Sequence, residues 1–350
     1  MEGCYVVADA STNNTTDNAN NVSDAERYVI AALIATAGAL GITGNSVVIL
    51  AILLNQKLIR SPTNIFVLNL CVSDWITCVN IPWVVIAMVN SENEWPLPDW
   101  ICSWCGFNLI ACVGCSTFTL AFIAVNRLFI ITYSTIYRKL YTPFKIALMV
   151  FFAWLLPITL ATIPLVSEFG DLGYDYKYRT CTWDTANLHS DSYSLLLALA
   201  YTPIQAAVII FSYAKIFVHI WSHSKKLHPA SSVSDDRSQS GQELSDSPTD
   251  SRLSDAAAPT APATALQERL YKRQVQVTRN MFYVVCGFMI CLVPFGVSLM
   301  VPGLNSERFV FYAAVSLVSS SVINPIIYAT KHPEFRGSML RIVKCNYGKL

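Results

Sequence analysis

Residues 28–54 read YVIAALIATAGALGITGNSVVILAILL, a run of 27 positions without a charged side chain. A helix of about 20 apolar residues crosses the hydrocarbon core of a bilayer, so this run is long enough to span a membrane. Six further apolar runs of comparable length follow, at 64–89, 100–133, 145–166, 192–221, 270–301 and 308–330. The sequence therefore predicts an all-α membrane protein, built as a bundle of seven transmembrane helices.

The composition of the chain agrees with a membrane protein. Of its 350 residues, 53% are hydrophobic and only 13% are charged, whereas charged residues make up about 25% of an ordinary globular protein. The net charge is only +1, which gives no reason to expect a nucleic-acid partner. Proline occurs inside several of the runs, where neighbouring helices of a bundle satisfy the carbonyl groups that proline leaves free.

The distribution of basic residues predicts the orientation of the bundle. If the N-terminus is extracellular, the outside keeps only four of the 24 Lys and Arg residues: Arg27, Lys177, Arg179 and Arg308. The opposite orientation would reverse this bias, against the positive-inside rule. We therefore expect a multi-pass protein of the plasma membrane, with its N-terminus outside and its C-terminus in the cytoplasm.

The extracellular tail, residues 1–27, is polar and rich in asparagine. Asn13, Asn14 and Asn21 each begin an N-x-Ser/Thr sequon, the acceptor for N-glycosylation. The tail contains no signal-peptide core, so we expect the first span to export it and the tail to be glycosylated. Chance sequons in an asparagine-rich tail are the alternative.

A second polar segment, residues 223–267, separates the first five spans (28–222) from the last two (268–330). It is rich in Ser, Asp, Pro and Ala and contains no aromatic residue. Such a segment buries too little apolar surface to offset its ordering entropy, which predicts a disordered cytoplasmic loop. Its serines beside acids are candidate kinase sites, although the same composition is equally that of an inert linker.

Two of the 11 cysteines stand where the extracellular surface is expected. Cys102 lies at the start of the third span, and Cys181 lies between the fourth and fifth spans. In an oxidising compartment these two can form a disulfide that ties the long loop across the mouth of the bundle. A second bridge, involving Cys105 and Cys4, is an open alternative, and we expect the cysteines inside the helices to be small buried side chains.

Asp74 is the clearest ionisable residue within a predicted span, and burying an ion in the membrane is costly. Polar residues at comparable depth on the first, third and seventh spans are Asn45, Ser116, Ser320, Ser321 and Asn324. Together with the Asp74 carboxylate they predict a pocket for a sodium-type cation or a water cluster. Ordinary hydrogen bonding of a structural aspartate is the alternative.

Seven short motifs occur along the spans. They are Gly44-Asn45, Leu70-x-x-x-Asp74, Cys102 with Arg127 at the opposite end of the third span, Trp154, Pro203, Cys291-x-x-Pro294 and Asn324-Pro325-x-x-Tyr328. Each is weak alone, but their order and spacing closely resemble those of the rhodopsin-like (class A) G-protein-coupled receptors. The resemblance covers almost all of the transmembrane chain.

This resemblance implies a receptor that transmits an extracellular ligand signal to heterotrimeric G proteins, with arrestin, receptor kinases and membrane lipids as further partners. In such receptors the ligand binds between the outer halves of the helices, and the sixth helix swings outward at its cytoplasmic end. Arg127 would then act as a latch and Pro294 as a hinge. The relay from the Asp74 pocket to the cytoplasm would comprise Asn324, Pro325 and Tyr328.

Residues 331–350 follow the seventh span, and the stretch KHPEFRGSMLRIVK at 331–344 predicts a short cytoplasmic amphipathic eighth helix along the membrane. Its apolar side chains are Phe335, Met339, Leu340 and Val343, and its basic ones are Lys331, Arg336, Arg341 and Lys344. We expect Cys345, just beyond this helix, to be palmitoylated.

Three departures from the family pattern bear on the switch. Asn126-Arg127-Leu128 stands where the family usually has Asp-Arg-Tyr, so the acid that restrains the arginine is missing. Leu292 stands where Trp is usual, and Phe211 stands where a Tyr is usual, with Tyr213 two residues later. We therefore expect the balance between the inactive and active states to differ from that of typical family members, with raised basal activity. A decoy or constitutively active receptor without a small-molecule agonist is the alternative.

Alignment on these motifs predicts an apolar ligand pocket. Its expected residues are Leu109, Ile110, Val113, Leu195, Leu199, Leu292, Phe295, Leu299, Ala314 and Val318. An amine receptor would carry Asp in place of Leu109, and an opsin would carry Lys in place of Val318. We therefore expect an apolar or lipid-like ligand, with Arg179 as the candidate partner of an anionic head and its pairing with a loop acid as the alternative.

The Asn-Arg pair and the apolar pocket resemble the insect trapped-in-endoderm receptors and the vertebrate medium-chain fatty acid receptor, with melatonin-type receptors as a further neighbour. A transporter or pump would need ionisable groups strung through the membrane, and a membrane hydrolase a cluster of catalytic side chains. The five histidines all lie at predicted helix ends or in loops, so no metal site is expected. We therefore expect no enzyme activity and no cofactor, apart from a structural or allosteric sodium ion.

Overall fold

In a computed structural model of the chain, residues 22–90, 92, 94–227, 261–301 and 306–344 are described. Seven helical spans within these ranges are long and apolar enough to cross a membrane, which confirms the predicted bundle. In chain order, spans one to seven are Asp24–Leu54, Pro62–Val89, Asp99–Thr132, Pro143–Val166, Ser190–His223, Glu268–Met300 and Glu307–Lys331. The end of the bundle at which span one begins is here called the outer end, and the opposite end the inner end.

Two of the spans are interrupted next to proline, which cannot donate a backbone hydrogen bond. Span two consists of helices Pro62–Val79 and Ile81–Val89, which meet at Asn80. Span five consists of helices Ser190–Tyr201 and Pro203–Leu227, which meet at Thr202. Other prolines are accommodated inside continuous helices: Pro157 and Pro164 in span four, Pro294 in span six and Pro325 in span seven.

A two-stranded antiparallel hairpin closes over the outer end, between spans four and five. Its strands are β1, Leu172–Asp175, and β2, Thr180–Trp183, with Tyr174 opposite Cys181. The predicted disulfide between Cys102 and Cys181 is present and fastens β2 to the start of span three. Cys105 is a free, buried cysteine and takes no part in a bridge within the described residues, whereas Cys4 lies outside them. The hairpin is therefore held across the mouth of the bundle.

Span three lies in the centre of the bundle, whereas span four lies at its edge. In the most apolar stretch of span three 72% of the residues are buried, against 22% for span four. The main core cluster includes Leu70, Leu120, Ile216 and Phe288 from spans two, three, five and six. Large apolar side chains such as Phe144, Ile204 and Ile290 are exposed on the outside of the bundle, as expected for surfaces that face lipid.

The inner end carries short helices Gln56–Ile59 and Ser134–Leu140, together with helix Pro333–Val343, which follows span seven. This last helix matches the predicted eighth helix. Its Phe335 is fully buried and stacks on Tyr328 of span seven, with the ring centroids 5.5 Å apart. The eighth helix is thus fastened to the inner end of span seven.

The helices on both sides of the predicted loop 223–267 extend into it, one to Leu227 and the other from Ala261. Directly after this loop, an ion pair at the helical spacing i, i+4 supports the start of span six, with Lys272 Nζ 2.7 Å from Glu268 Oε1. The rest of this loop, the sequons at Asn13, Asn14 and Asn21, and Cys345 lie outside the described residues. Glycosylation and palmitoylation therefore stay predictions.

Candidate functional site

A cavity of about 280 Å³ opens beneath the hairpin at the outer end. Spans one, two, three, five, six and seven and strand β2 contribute to its walls. Of the residues predicted for the ligand pocket, the structure places six in this lining: Leu109, Leu195, Phe295, Leu299, Ala314 and Val318. The motif alignment thus located a real concave site between the outer halves of the helices.

A second, smaller cavity of about 40 Å³ adjoins the first and shares Leu109, Trp183, Phe295 and Leu299 with it. Three further predicted residues lie here and not in the larger cavity: Ile110, Val113 and Leu292. Because span six contributes Leu292 and Phe295 on either side of Pro294, both cavities meet this span close to its proline.

Leu199 does not face either cavity, contrary to the prediction. Its side chain is 51% exposed on the outside of the bundle. The inward stripe of this helix runs through Tyr193, Leu197 and Tyr201, which are all buried. Because successive helical positions differ by about 100°, a residue next to this stripe turns toward the lipid.

Arg179 is not among the residues that line the outer cavity, which corrects the predicted anion site. It lies in the turn before β2 with a φ of 46°, and its Nη1 is 3.5 Å from the carbonyl oxygen of Asn90. Nor is the lining without charge, as had been expected, because it includes Asp191. Polar lining residues that the alignment did not identify include Thr77, Asn80, Thr182, Ser190, Ser194 and Ser298.

The sequence did contain a signal for part of this polar lining. Asn80 stands at the break that Pro82 produces in span two, and its Oδ1 lies 3.7 Å from the thiol of Cys105. Both residues line the cavity. Pro82 therefore indicated where span two is interrupted. It did not indicate which side chains next to the break would face the cavity.

Asp74 is a buried residue of span two, and each of its carboxylate oxygens accepts a hydrogen bond from span seven. Ser321 Oγ donates to Asp74 Oδ1 at 3.1 Å, and Asn324 Nδ2 donates to Oδ2 at 2.8 Å. Asn45 Nδ2 donates to the carbonyl of Ser321 at 2.9 Å, which brings span one to the same point. Three spans thus meet around one carboxylate.

The remaining predicted residues of this pocket are buried close by. The hydroxyls of Ser73 and Ser116 are 2.9 Å apart, whereas the Ser320 hydroxyl donates to the carbonyl of Leu317. Asn45 Oδ1 and Asn324 Oδ1 are buried without a hydrogen-bond partner in the described structure. A carboxylate with two unpartnered carbonyl-type oxygens nearby is a donor set of the kind that a hard cation accepts.

At the inner end of span three, Asn126, Arg127 and Leu128 are all buried. Thr63 Oγ1 of span two donates to Asn126 Oδ1 at 2.6 Å. Arg127 forms no ion pair with a carboxylate in the part of the chain that the structure describes, and its Nε has no partner. A buried guanidinium without a counter-ion is unusual because of its desolvation cost.

Tyr213, not Phe211, is the inward-facing aromatic residue of span five here. Tyr213 is buried, whereas Phe211 is 58% exposed and faces outward. The hydroxyls of Tyr213 and Tyr328 are both buried without a partner in the described residues. A tyrosine is therefore present on the inward face of span five, two residues after the position at which the family usually has it.

Spans six and seven are joined at the inner end. The side-chain amide of Asn280 donates to the carbonyl of Lys331. The next residue, His332, is buried, and burial together with Arg127 and Arg273 lowers the pKa of its imidazole to about 4. His332 is therefore neutral, and the inner face near Arg127 gains no further positive charge from it.

Comparisons with known proteins agree with this geometry. Residues 44–328 match the family model described as the 7 transmembrane receptor (rhodopsin family). The chain is 28% identical to the G-protein coupled receptor moody of Drosophila melanogaster over 89% of its own length and 50% of that protein. It is 25% identical to melanopsin of Branchiostoma belcheri, over 99% of its length and 47% of that protein.

The chain thus spans about half the length of these two relatives. The crystal structure of squid rhodopsin has the same fold, with a TM-score of 0.75 at 18% identity, over 93% of this chain and 87% of that one. The family match covers all of the described cavity lining except Ile34, and also Arg127 and the Asp74 cluster, which comprises Asp74, Asn45, Ser321 and Asn324. This chain belongs to the rhodopsin family of seven-transmembrane receptors, which are signalling proteins and not enzymes.

Proposed function

We propose that this chain is a G-protein-coupled receptor that carries an extracellular ligand signal to heterotrimeric G proteins. The observation that carries the proposal is the placement of two features at opposite ends of span three. Leu109 lines the outer cavity, and Arg127 lies buried at the inner end. With the positive-inside orientation, the cavity faces the outside of the plasma membrane and Arg127 faces the cytoplasm.

Span six links the two ends. Leu292 and Phe295 meet the cavities on either side of Pro294, where the missing backbone hydrogen bond lets a helix bend. At the inner end, the bond from Asn280 to the Lys331 carbonyl holds span six against span seven. A ligand that moves Phe295 would favour an outward swing that breaks this bond and exposes Arg127 to the G protein.

The ligand that fits the cavity best is amphiphilic, with an apolar, lipid-like body. Leu109, Phe295, Leu299 and Leu317 provide apolar wall, and burial of hydrocarbon there contributes about 0.8 kcal/mol per methylene. The polar lining beneath the hairpin would then receive the polar head of the ligand. We further propose that the Asp74 cluster binds a sodium ion, with Asp74, Asn45 and Asn324 as the residues that supply oxygen.

A constitutively active or decoy receptor is the second candidate. The observation that favours it is Asn126, whose side chain bonds to Thr63 and offers Arg127 no carboxylate. An arginine that is not restrained would be available to a G protein without a ligand, which would raise the basal signal.

The test is a panel of G-protein dissociation sensors in cells that express the receptor, first without ligand and then with lipid, peptide and amine libraries. We expect at least one sensor to respond, and Arg127→Ala to remove this response at matched surface expression. If the sensor signal of the wild-type receptor equals that of untransfected cells, without ligand and with every library, the result would favour a decoy receptor and contradict the proposal.

A further inference from the structure

Among the described residues that line the outer cavity, one is charged and none is basic. That residue is Asp191, in the first turn of span five. The four basic residues of the outer end are engaged elsewhere. Arg27 lies 2.7 Å from Asp24, and Arg308 lies 2.8 Å from Glu26.

The other two outer bases, Lys177 and Arg179, are not among the residues that line the cavity. Lys177 lies over the ring of Tyr178, 4.7 Å from its centroid, and Arg179 Nη1 approaches the carbonyl of Asn90. A ligand in the cavity would therefore meet a negative charge at its head, and an anionic head would find no counter-ion in the lining.

Two largely buried serines, Ser190 and Ser194, lie on the same helix as Asp191. Ser190 is 3% exposed and Ser194 is 8% exposed, and both line the cavity. Neither side chain forms a hydrogen bond within the described residues, although serines in helices commonly bond to a preceding carbonyl, as Ser103 and Ser319 do here. Neither hydroxyl oxygen is among the buried, unpartnered polar atoms of the described residues, so both are accessible from the cavity and can bond to a polar group of a ligand there.

We propose that the outer cavity binds a cationic amphiphile, with its ammonium-type head between Asp191, Ser190 and Ser194 and its apolar body toward Leu109 and Phe295. This rests on the proposed ligand site and names the charge class of what occupies it. It reverses the anionic head that the sequence suggested, because Arg179 lies outside the lining and Asp191 lies within it. The hydroxyl oxygens accept hydrogen bonds from the head while the carboxylate offsets its charge.

The alternative role of Asp191 is to stabilise the helix N-terminus, where an acid in the first turn is favourable. That role needs no ligand and predicts no preference for charge inside the cavity. The two roles therefore differ in a property that is measurable without knowing the natural ligand.

Cys105 supplies the reporter, because its thiol is free and lines the same cavity. A methanethiosulfonate reagent converts this thiol to a mixed disulfide and releases methanesulfinate. The full-length receptor in lipid nanodiscs is labelled with the ethylammonium and the ethylsulfonate reagents, and mass spectrometry gives the rate at Cys105. Each rate is normalised to that of a simple thiol in solution.

We expect the cationic reagent to react faster than the anionic one, and Asp191→Asn to lower the ratio on the order of threefold, as for a partly solvated charge. Asp191→Glu should keep the ratio. The matched control is Asp171→Asn, an exposed acid just before β1 and outside the lining, which should also leave the ratio unchanged.

The second arm measures occupancy, as protection of Cys105 from neutral methyl methanethiosulfonate by n-decylamine, n-decanol or decanoate. Decylamine should protect best, and Asp191→Asn and Ser194→Ala should each weaken that preference. Equal or better protection by decanoate, no protection by decylamine, or a Cys105 that no reagent reaches would overturn the proposal. This assay contains no G protein, so its result does not depend on the proposed signalling function. A receptor that signals but shows no charge preference would contradict only the proposal of a cationic ligand.

Discussion

Thr63 of span two donates a 2.6 Å hydrogen bond to the side-chain oxygen of Asn126 in span three, one residue before Arg127. In the family pattern an acid at this position restrains the arginine. Here the amide oxygen is engaged by a neutral hydroxyl, and the guanidinium has no carboxylate partner within the described ranges. The inner end of span three is therefore held by packing and by a neutral hydrogen bond.

The first prediction is that Asn126→Asp lowers basal signalling. The new carboxylate would pair with Arg127, which is already buried without a carboxylate partner in the described residues, and would thereby restrain it. Basal G-protein dissociation at equal surface expression is the readout, and Arg127→Ala should reduce coupling as a separate control. An unchanged basal level in Asn126→Asp would contradict the restraint argument.

The second prediction concerns the Asp74 cluster. Asp74→Asn keeps the shape of the side chain but removes the charge that a sodium ion would need, so any dependence of agonist affinity on sodium should disappear. Radioligand competition in sodium and in N-methylglucamine buffers measures it. Sodium sensitivity that survives the substitution would place the ion elsewhere.

The third prediction tests the bond between Cys102 and Cys181. Cys102→Ala and Cys181→Ala should each strongly reduce surface expression, because the hairpin loses its covalent attachment to span three. The double variant should be little worse than either single variant, since all three lack the same bond. Losses that simply add would show that the two residues act independently.

The fourth prediction concerns the close contact between spans one and two. A Cβ on Gly41 would lie 2.3 Å from the Cys78 sulfur, whereas one on Gly296 would meet no atom within 4 Å. Gly41→Ala should therefore destabilise the purified receptor by about 1–3 kcal/mol, the usual cost of overpacking. Gly296→Ala is the matched control and should be tolerated, and Cys78→Ala should partly rescue Gly41→Ala. Equal melting temperatures for both glycine variants would refute the close contact.

The apolar length of each run was enough to identify the seven spans. The orientation of the bundle stays a prediction from the distribution of basic residues. Cys102 and Cys181 were also recognisable, because they stand at the outer surface of a predicted bundle in an oxidising compartment. Asp74 and Asn324 stood out as polar residues inside apolar spans, and Arg127 was identified through the resemblance of the motifs to the rhodopsin-like receptors. These features need no knowledge of how one helix is rotated against another.

Only the tertiary structure decided which side chains face the cavity. Leu199 turned out to face outward, Tyr213 took the inward position instead of Phe211, and Asp191 entered the lining while Arg179 did not. The direction of each of these side chains depends on the rotation of its helix or on the path of its turn. A shift of one residue along a helix changes the direction of a side chain by about 100°. The sequence thus predicted a receptor with an outer pocket, and packing alone decided the charge that this pocket presents.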